Sequence, residues 1–303
     1  MAAGVAGTKV AVPCGSAHHC VYQSLGRRVV PAIPEQPSPS ASYDPSAPNI
    51  ARMYDYFLGG KDHFAVDREA AAKVLEHAPE VPLIAREGRR FLRRVVRFLV
   101  ASGIRQFIDI GTGLPTGGHV HEVLGEYAPD AKVAYVDNDP VVIAHAWALL
   151  KGNGRTTVVQ ADFREPEKIL TDPLLTGLID LDRPVAILLM SVLHFIDDDA
   201  EAMRVVTRLR ESIAPGGYLA FCHAVSDVCP ERLAKLGDIY RQGPMKGAKE
   251  KAQRTTAEVA RFLDGLEPIP PGVTAVPSWR PDPHDRADSA AAVWLVGGLG
   301  RKT

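Results

Sequence analysis

Phe107-Ile-Asp109-Ile-Gly111-Thr-Gly113-Leu-Pro-Thr-Gly117-Gly118 decides how the rest of this chain is read. A short apolar run ends in an acid and enters a glycine-rich turn, and a helical pattern follows at 117–127. Strand, turn and helix in that order open the ligand-binding unit of a doubly wound sheet. The glycines allow φ > 0 in the turn and let a ligand come close to the backbone. The turn alone does not choose the ligand, because nicotinamide and flavin proteins carry similar turns at this place. Asp109 narrows the choice. A carboxylate two residues before the first glycine repels a pyrophosphate, whereas it suits the ammonium and sulfonium of S-adenosylmethionine.

Downstream of Ile104, short apolar runs alternate with helical segments, which predicts an α/β fold with a mostly parallel sheet covered on both faces. Strands are expected at 105–110, 132–136, 156–160, 185–190, 218–223, 273–276 and 292–296, with helices at 140–151, 200–213, 231–240 and 256–263. In Val133-Ala-Tyr-Val136-Asp137-Asn138-Asp139-Pro140, Asp137 closes the second strand, where it can accept from both hydroxyls of a ribose, with Asn138 beside it. Asp139 before Pro140 reads as a helix N-cap. Val158-Val-Gln-Ala161-Asp162-Phe163-Arg164 again ends a strand in an acid. Asp162 and Phe163 suit the exocyclic amine and the face of an adenine; a turn cap and a core ring would account for them equally. Acids at the ends of three successive strands, on the edge where open α/β sheets bind ligands, make coincidence a poor account.

Beyond the fourth strand, Ser191-Val-Leu-His194-Phe195 falls at the switch-point edge. Ser191 is expected at the cofactor. His194 can take a proton from a hydroxyl or amine, although methyl transfer can proceed by positioning alone, which would leave it as a wall residue. Asp197-Asp198-Asp199 reads as a helix cap.

Upstream, Asn49 is a good N-cap for a short helix with the stripe Ile50, Met53, Tyr54, Phe57 and Leu58, ended by Gly59-Gly60. Helices are also expected at 65–77 and 83–101, forming an N-terminal helical cover. Tyr56, Lys61, Asp62 and His63 are polar beyond what packing requires. This segment is therefore expected to close over the cofactor, with Tyr56 a candidate catalytic group on the acceptor side. Arg86, Arg89, Arg90, Arg93, Arg94 and Arg97 crowd the third helix, where a phosphate-gripping face and a solvated one are the two readings.

Residues 1–45 are rich in Ala, Gly, Ser and Pro and lack an apolar period, so they are expected to be a disordered leader. The domain then spans 46–303, with helices to 103 and the α/β core from 104. A formal net charge of -1 over 303 residues provides no global field toward nucleic acid or an anionic membrane. Cys14, Cys20, Cys222 and Cys229 have neither zinc-knuckle nor redox spacing, and no metal is expected. No apolar run is long enough to span a membrane, and no signal-peptide core opens the chain, so the expected address is the cytoplasm.

Asp109-x-Gly111-x-Gly113, Asp137, Asp162-Phe163 and Ser191-Val-Leu-His194-Phe195 together resemble the ordered motifs of the Rossmann-like S-adenosylmethionine-dependent methyltransferases over about residues 104–224. Asn49-Ile-Ala-Arg52-Met-Tyr54-Asp55-Tyr56-Phe-Leu-Gly59-Gly60-Lys61-Asp62-His63-Phe64 and Trp279-Arg280-Pro281 are similar to an actinobacterial group of that class, formerly a domain of unknown function. The resemblance implies a seven-stranded sheet with a reversed last strand and S-adenosylmethionine as cofactor. Pro115 stands where the class has its third glycine, so the loop is expected to take another path and Gly117 to matter less than Gly111 and Gly113. A small-molecule acceptor is favoured, because a helical cover and a long insert after the fifth strand would enclose a modest pocket. An RNA or protein acceptor and a non-catalytic S-adenosylmethionine-binding protein are the alternatives.

Overall fold

A computed structural model describes residues 44–150, 154–245, 253–283 and 293–303. The expected leader lies almost wholly outside the described residues. Helices α1 (Ile50–Phe57), α2 (Ala65–His77) and α3 (Val81–Ala101) precede the sheet. Then come β1 (Gln106–Ile110), α4 (Val120–Tyr127), β2 (Lys132–Asp137), α5 (Pro140–Leu150) and β3 (Thr156–Gln160). Two short helices, α6 (Pro166–Leu170) and α7 (Pro173–Leu178), lead to β4 (Ala186–Met190). The chain continues through α8 (Asp199–Glu211), β5 (Tyr218–Ala224), α9 (Pro230–Gln242) and α10 (Thr256–Ala260) to β6 (Glu267–Pro268), β7 (Thr274–Ala275) and β8 (Leu295–Arg301).

The sheet runs β3-β2-β1-β4-β5-β8-β6, with β7 also on β8. Strands β1 to β5 are parallel, and β8 is antiparallel to β5, β6 and β7. The reversed last strand is thus present in the sixth place, and the edge place beyond it is shared by two two-residue strands. Alternate residues of each strand feed opposite layers: Phe107, Val133, Tyr135 and Leu188 pack with α1 to α4, while Ile108, Ala134, Val136 and Ile187 pack with α6 to α8. Strand β1 is buried along its whole length, as a central parallel strand must be.

Two boundaries differ from the sequence reading for clear reasons. Helix α4 begins at Val120, not at 117, because Gly117 and Gly118 adopt φ of 104° and 72° and cannot belong to a right-handed helix. Strand β8 starts at Leu295 and continues to Arg301 through three glycines, a composition that weakens a strand on propensity alone. Packing reverses that judgement. A Cβ on Gly297 would come within 2.5 Å of the Phe91 ring, and one on Gly300 within 2.8 Å of Leu266.

Helix α3 carries the expected stripe, with Ile84, Phe91, Leu92, Val95 and Leu99 all buried. Four of its arginines are held by the protein. Arg94 is buried and donates from Nε to the Trp279 carbonyl at 2.9 Å and from Nη2 to the Val276 carbonyl at 2.7 Å. Arg93 pairs with Glu126, Arg97 with Asp282 and Arg90 with Glu87. Trp279 packs edge-on against Phe91 and Phe98, and the Arg280 guanidinium lies over Phe98 at 4.4 Å. The Trp-Arg-Pro signature thus holds the end of the chain to α3.

Candidate active site

The carboxyl ends of β1, β2 and β4 open into a cavity of about 630 Å³, within the range of small-molecule sites. Its lining joins two unlike surfaces. One comes from strand ends and loops: Asp109, Gly111 to Gly113, Asp137 to Asp139, Ala161, Phe163, Arg164 and Ser191. The other comes from single faces of helices, with Val81, Ile84, Ala85, Gly88 and Leu92 on α3 and Leu233, Leu236, Gly237 and Tyr240 on α9, each set spaced at helical period.

The glycine-rich turn is shaped by the protein before any ligand arrives. Gly111 has φ of 72°, and a Cβ there would stand 2.6 Å from Val192 Cγ2. Only glycine fits. Gly113 has φ of 67° with open space around it, and its N–H donates to Asp137 Oδ2 at 2.9 Å. The Asp139 N–H donates to Asp137 Oδ1 at 3.0 Å. A carboxylate offers about four acceptor directions, so Asp137 keeps capacity toward the cavity. Asp139 accepts from the Val141 N–H at 2.7 Å, the capping contact expected of it.

Burial pushes both Asp109 and Asp137 up to about 6. At Asp109 the nearby Arg89 guanidinium and the Thr112 hydroxyl oppose that shift; at Asp137 backbone N–H groups do so, while Asp139 adds repulsion. Arg89 lines the cavity, its guanidinium over the Tyr54 ring at 5.5 Å. Its Nε is buried and has no hydrogen-bond partner among the described residues. Sequence reasoning placed Arg89 on a crowded basic face. The available signal was its register: it lies one place after Gly88 and three before Leu92, on the side of α3 that carries the apolar wall.

Of the residues singled out in the sequence, Asp109, Gly111, Gly113, Asp137, Asn138, Phe163, Ser191 and His194 line one cavity. Ser191 adopts φ of 59° at the tip of β4, and its hydroxyl lies 3.2 Å from Cys222 Sγ. The ring of His194 packs against Phe195 at 4.4 Å and edge-on to His223 at 5.5 Å. His223 is itself committed: its Nδ1 lies 2.6 Å from the Ala224 carbonyl, and Arg254 Nη1 approaches its Nε2 at 3.3 Å.

Two residues fall elsewhere. Asp162 is not in the lining; it is forked by the Arg164 guanidinium, whose hydrogen bonds outweigh the effect of burial and hold the carboxyl below its usual range. Tyr56 does not line the cavity either, because it faces the His63 ring at 5.1 Å; Tyr54, two residues earlier, lines it instead. The polar cluster after the double glycine finds its partners within the protein. Asp55 is buried and accepts from the Thr116 hydroxyl at 2.6 Å and the Asp62 N–H at 2.9 Å, with His63 Nδ1 2.8 Å away. Through Thr116 this one carboxylate ties the N-terminal segment to the glycine-rich loop, which is the altered path that Pro115 announced. Arg52 and Asp67 form a buried pair at 2.7 Å beside it.

Among the described residues, no helix is long and apolar enough to cross a membrane, and no cluster of His, Cys, Asp and Glu is placed to hold a metal ion.

The profile of the S-adenosyl methyltransferase family matches residues 36–303. A solved structure of a methyltransferase candidate from Thermobifida fusca YX is 41% identical, with TM-score 0.78 over 85% of this chain and 96% of that one. A DUF574 family protein from Streptomyces avermitilis MA-4680 is 36% identical, with TM-score 0.80 over 86% of this chain and 99% of that one. No curated protein matches. A sheet in methyltransferase order, a cavity at its switch point and a family match across nearly the whole described chain lead to one conclusion: the chain belongs to the S-adenosyl methyltransferase family and takes S-adenosylmethionine as its methyl donor.

Proposed function

We propose that this protein transfers the methyl group of S-adenosylmethionine to a small-molecule acceptor by in-line displacement, in the cytoplasm, and that the strand-end surface of the cavity is the donor site. The observation that carries the reading is the division of one cavity into a charged end and an apolar end. S-adenosylmethionine bound there supplies a methyl carbon activated by its attachment to a sulfonium. Asp137 would hold the ribose hydroxyls with its remaining acceptor capacity, supported by Asn138. Ala161 and Phe163 would flank the adenine. Asp109 and Arg89 offer opposite charges side by side, the complement of an α-ammonium and an α-carboxylate. Gly111 and Gly113 shape the turn between them, and Ser191 marks the boundary with the acceptor end.

Neither Asp162 nor Tyr56 has a place in this proposal, and His194 remains as the acceptor-side base. A macromolecular acceptor would need an open basic cleft; Arg90, Arg93, Arg94 and Arg97 of α3 are instead held by Glu87, Glu126, backbone carbonyls and Asp282. Isothermal titration tests the donor site. S-adenosylmethionine should bind the wild type, and Asp137→Ala should weaken it by about 1–3 kcal/mol, the scale of hydrogen bonds lost at a charged group. Unchanged affinity in a folded variant would remove Asp137 from the site.

A further inference from the structure

The acceptor end of the cavity is built from α1, α3, α9 and the segment entering β8. Its surface comes chiefly from Val81, Ile84, Leu92, Leu233, Leu236 and Trp294. The polar handles of its aromatic residues are turned to the protein. Trp294 Nε1 donates to Glu80 Oε1 at 3.1 Å, and the Tyr54 hydroxyl donates to the Ala85 carbonyl at 3.2 Å. Glu80 is held outside the cavity by Arg232 as well. What these side chains leave facing inward is ring and hydrocarbon.

Charge in the lining is confined to the other end and to Arg89 at the border, whose guanidinium lies over the Tyr54 ring. The acids are Asp109, Asp137 and Asp139, all at strand ends, and the cations are Arg89, beside Asp109, and Arg164, beside Asp162. An ammonium entering the apolar end would be stripped of water with no carboxylate to receive it, and a carboxylate there would find Arg89, over the Tyr54 ring, already taken by the α-carboxylate of the donor in the reading above. Asn49 also lines the cavity, with its Oδ1 accepting from the Arg52 N–H of its own helix; two further polar points remain. His194 stands at the tip of β4, and the Tyr240 hydroxyl makes no hydrogen bond among the described residues. Burial pushes Tyr240 up to about 12, so it stays a neutral phenol and a hydrogen-bonding group, not a base.

We propose, resting on the small-molecule reading above, that the acceptor is an uncharged, apolar ring compound and that the group methylated is a hydroxyl, met by Tyr240 and His194. The acceptor oxygen bonds to the methyl carbon as that carbon leaves sulfur, with the C–S electron pair remaining on sulfur. The hydroxyl proton passes to the His194 imidazole and from there to water. The products are a methyl ether, S-adenosylhomocysteine and a proton, so the step needs no further reactant.

The test uses the full chain saturated with S-adenosylhomocysteine and a matched set of probes: 2-naphthol, naphthalene, naphthalene-2-carboxylate and 2-naphthylmethylammonium, followed by equilibrium dialysis. We expect 2-naphthol to bind at least tenfold tighter than either ion and at least threefold tighter than naphthalene. Leu233→Lys, at a half-buried wall position, should lower 2-naphthol affinity at least tenfold. Tyr240→Phe should erase the preference for 2-naphthol over naphthalene. Both variants should keep wild-type affinity for S-adenosylhomocysteine, which also reports that they are folded. An ion binding as tightly as 2-naphthol, or no 2-naphthol binding to the loaded protein, overturns the uncharged apolar class. Equal binding of 2-naphthol and naphthalene to the wild type overturns the hydroxyl. Failure of S-adenosylhomocysteine to bind at all would instead sink the donor-site reading on which the proposal rests.

Discussion

The two ends of the cavity are made in opposite ways. At the donor end, chemistry sits at the tips of β1, β2 and β4, on backbone whose course is set by the sheet and by glycines with positive φ. Sites on strand ends are rigid, and their residues follow one another in the chain as acid, turn and helix. At the acceptor end, the wall is assembled from helix faces at residues 50–57, 81–92 and 233–240 and from the chain around Trp294. Segments that far apart meet only through packing. The difference teaches that, on the proposed reading, the donor site rests on a few local motifs, while the acceptor wall depends on how the covering helices pack on the sheet.

That contrast can be broken most severely at Gly111. Gly111→Ala combines a left-handed backbone with a Cβ 2.6 Å from Val192, so it should destabilise the fold by about 2–4 kcal/mol. Gly113→Ala meets no neighbour and should cost about 1–2 kcal/mol from its backbone alone. Thermal denaturation of the two variants side by side measures the difference; equal melting temperatures would mean that Val192 yields.

Arg89 sharpens the comparison at the border of the two ends. Arg89→Met should weaken S-adenosylmethionine by about 1.5–3 kcal/mol, as expected for a charged hydrogen-bond partner, while leaving 2-naphthol binding to the loaded protein nearly unchanged. A variant that loses 2-naphthol and keeps the donor would move Arg89 to the acceptor end.

The donor end alone should respond to mild acid. Burial pushes Asp109 and Asp137 up to about 6, and donor binding uses their ionised forms. Affinity for S-adenosylmethionine should therefore be full above about pH 6 and fall as pH drops through that value, by about tenfold per unit for each proton taken up. For stability the sign is reversed. A carboxyl whose folded pKa is raised disfavours the folded form once ionised, so the unliganded protein gains from these two groups as pH falls toward 4. Asp137→Asn should flatten part of both profiles, and binding of 2-naphthol to the loaded protein should vary less than either.

The smallest effects are expected at Tyr56 and Asp162. Tyr56→Phe keeps the ring contact with His63 and should change donor affinity by less than about 0.5 kcal/mol, as should Asp162→Asn. Titration of each against wild type settles whether they belong to the cavity; a loss of tenfold or more would return them to it.

Much of this was legible in the chain because the signals are local. Asp109, Gly111, Gly113 and Asp137 stand at fixed offsets from apolar runs, and a parallel sheet brings the ends of successive strands to one edge. The stripe of α3 and the Asn49 cap also depend on nothing beyond a helical turn, and Asn49 Oδ1 does accept from the Arg52 N–H at 3.2 Å. That Tyr54 and not Tyr56 lines the cavity was not legible, because an eight-residue helix turns neighbouring aromatics to different sides and only docking selects which side meets the cavity. The pairing that draws Asp162 out of the lining, with Arg164 two residues on, was not foreseen either.

By itself, then, the sequence determined the donor and most of the order of strands and helices, short of α6, α7 and β6, since each follows from hydrophobic period and turn chemistry within about a dozen residues. Tertiary structure decided the rest: that β8 runs through three glycines because Phe91 and Leu266 need the space, that Arg89 faces a cavity while Arg94 serves two carbonyls, and that Asp55 ties the N-terminal segment to the glycine-rich loop. Those outcomes are set by which surfaces pack together across long stretches of chain: 206 residues from Phe91 to Gly297, 34 from Leu266 to Gly300 and 61 from Asp55 to Thr116. No local pattern encodes them.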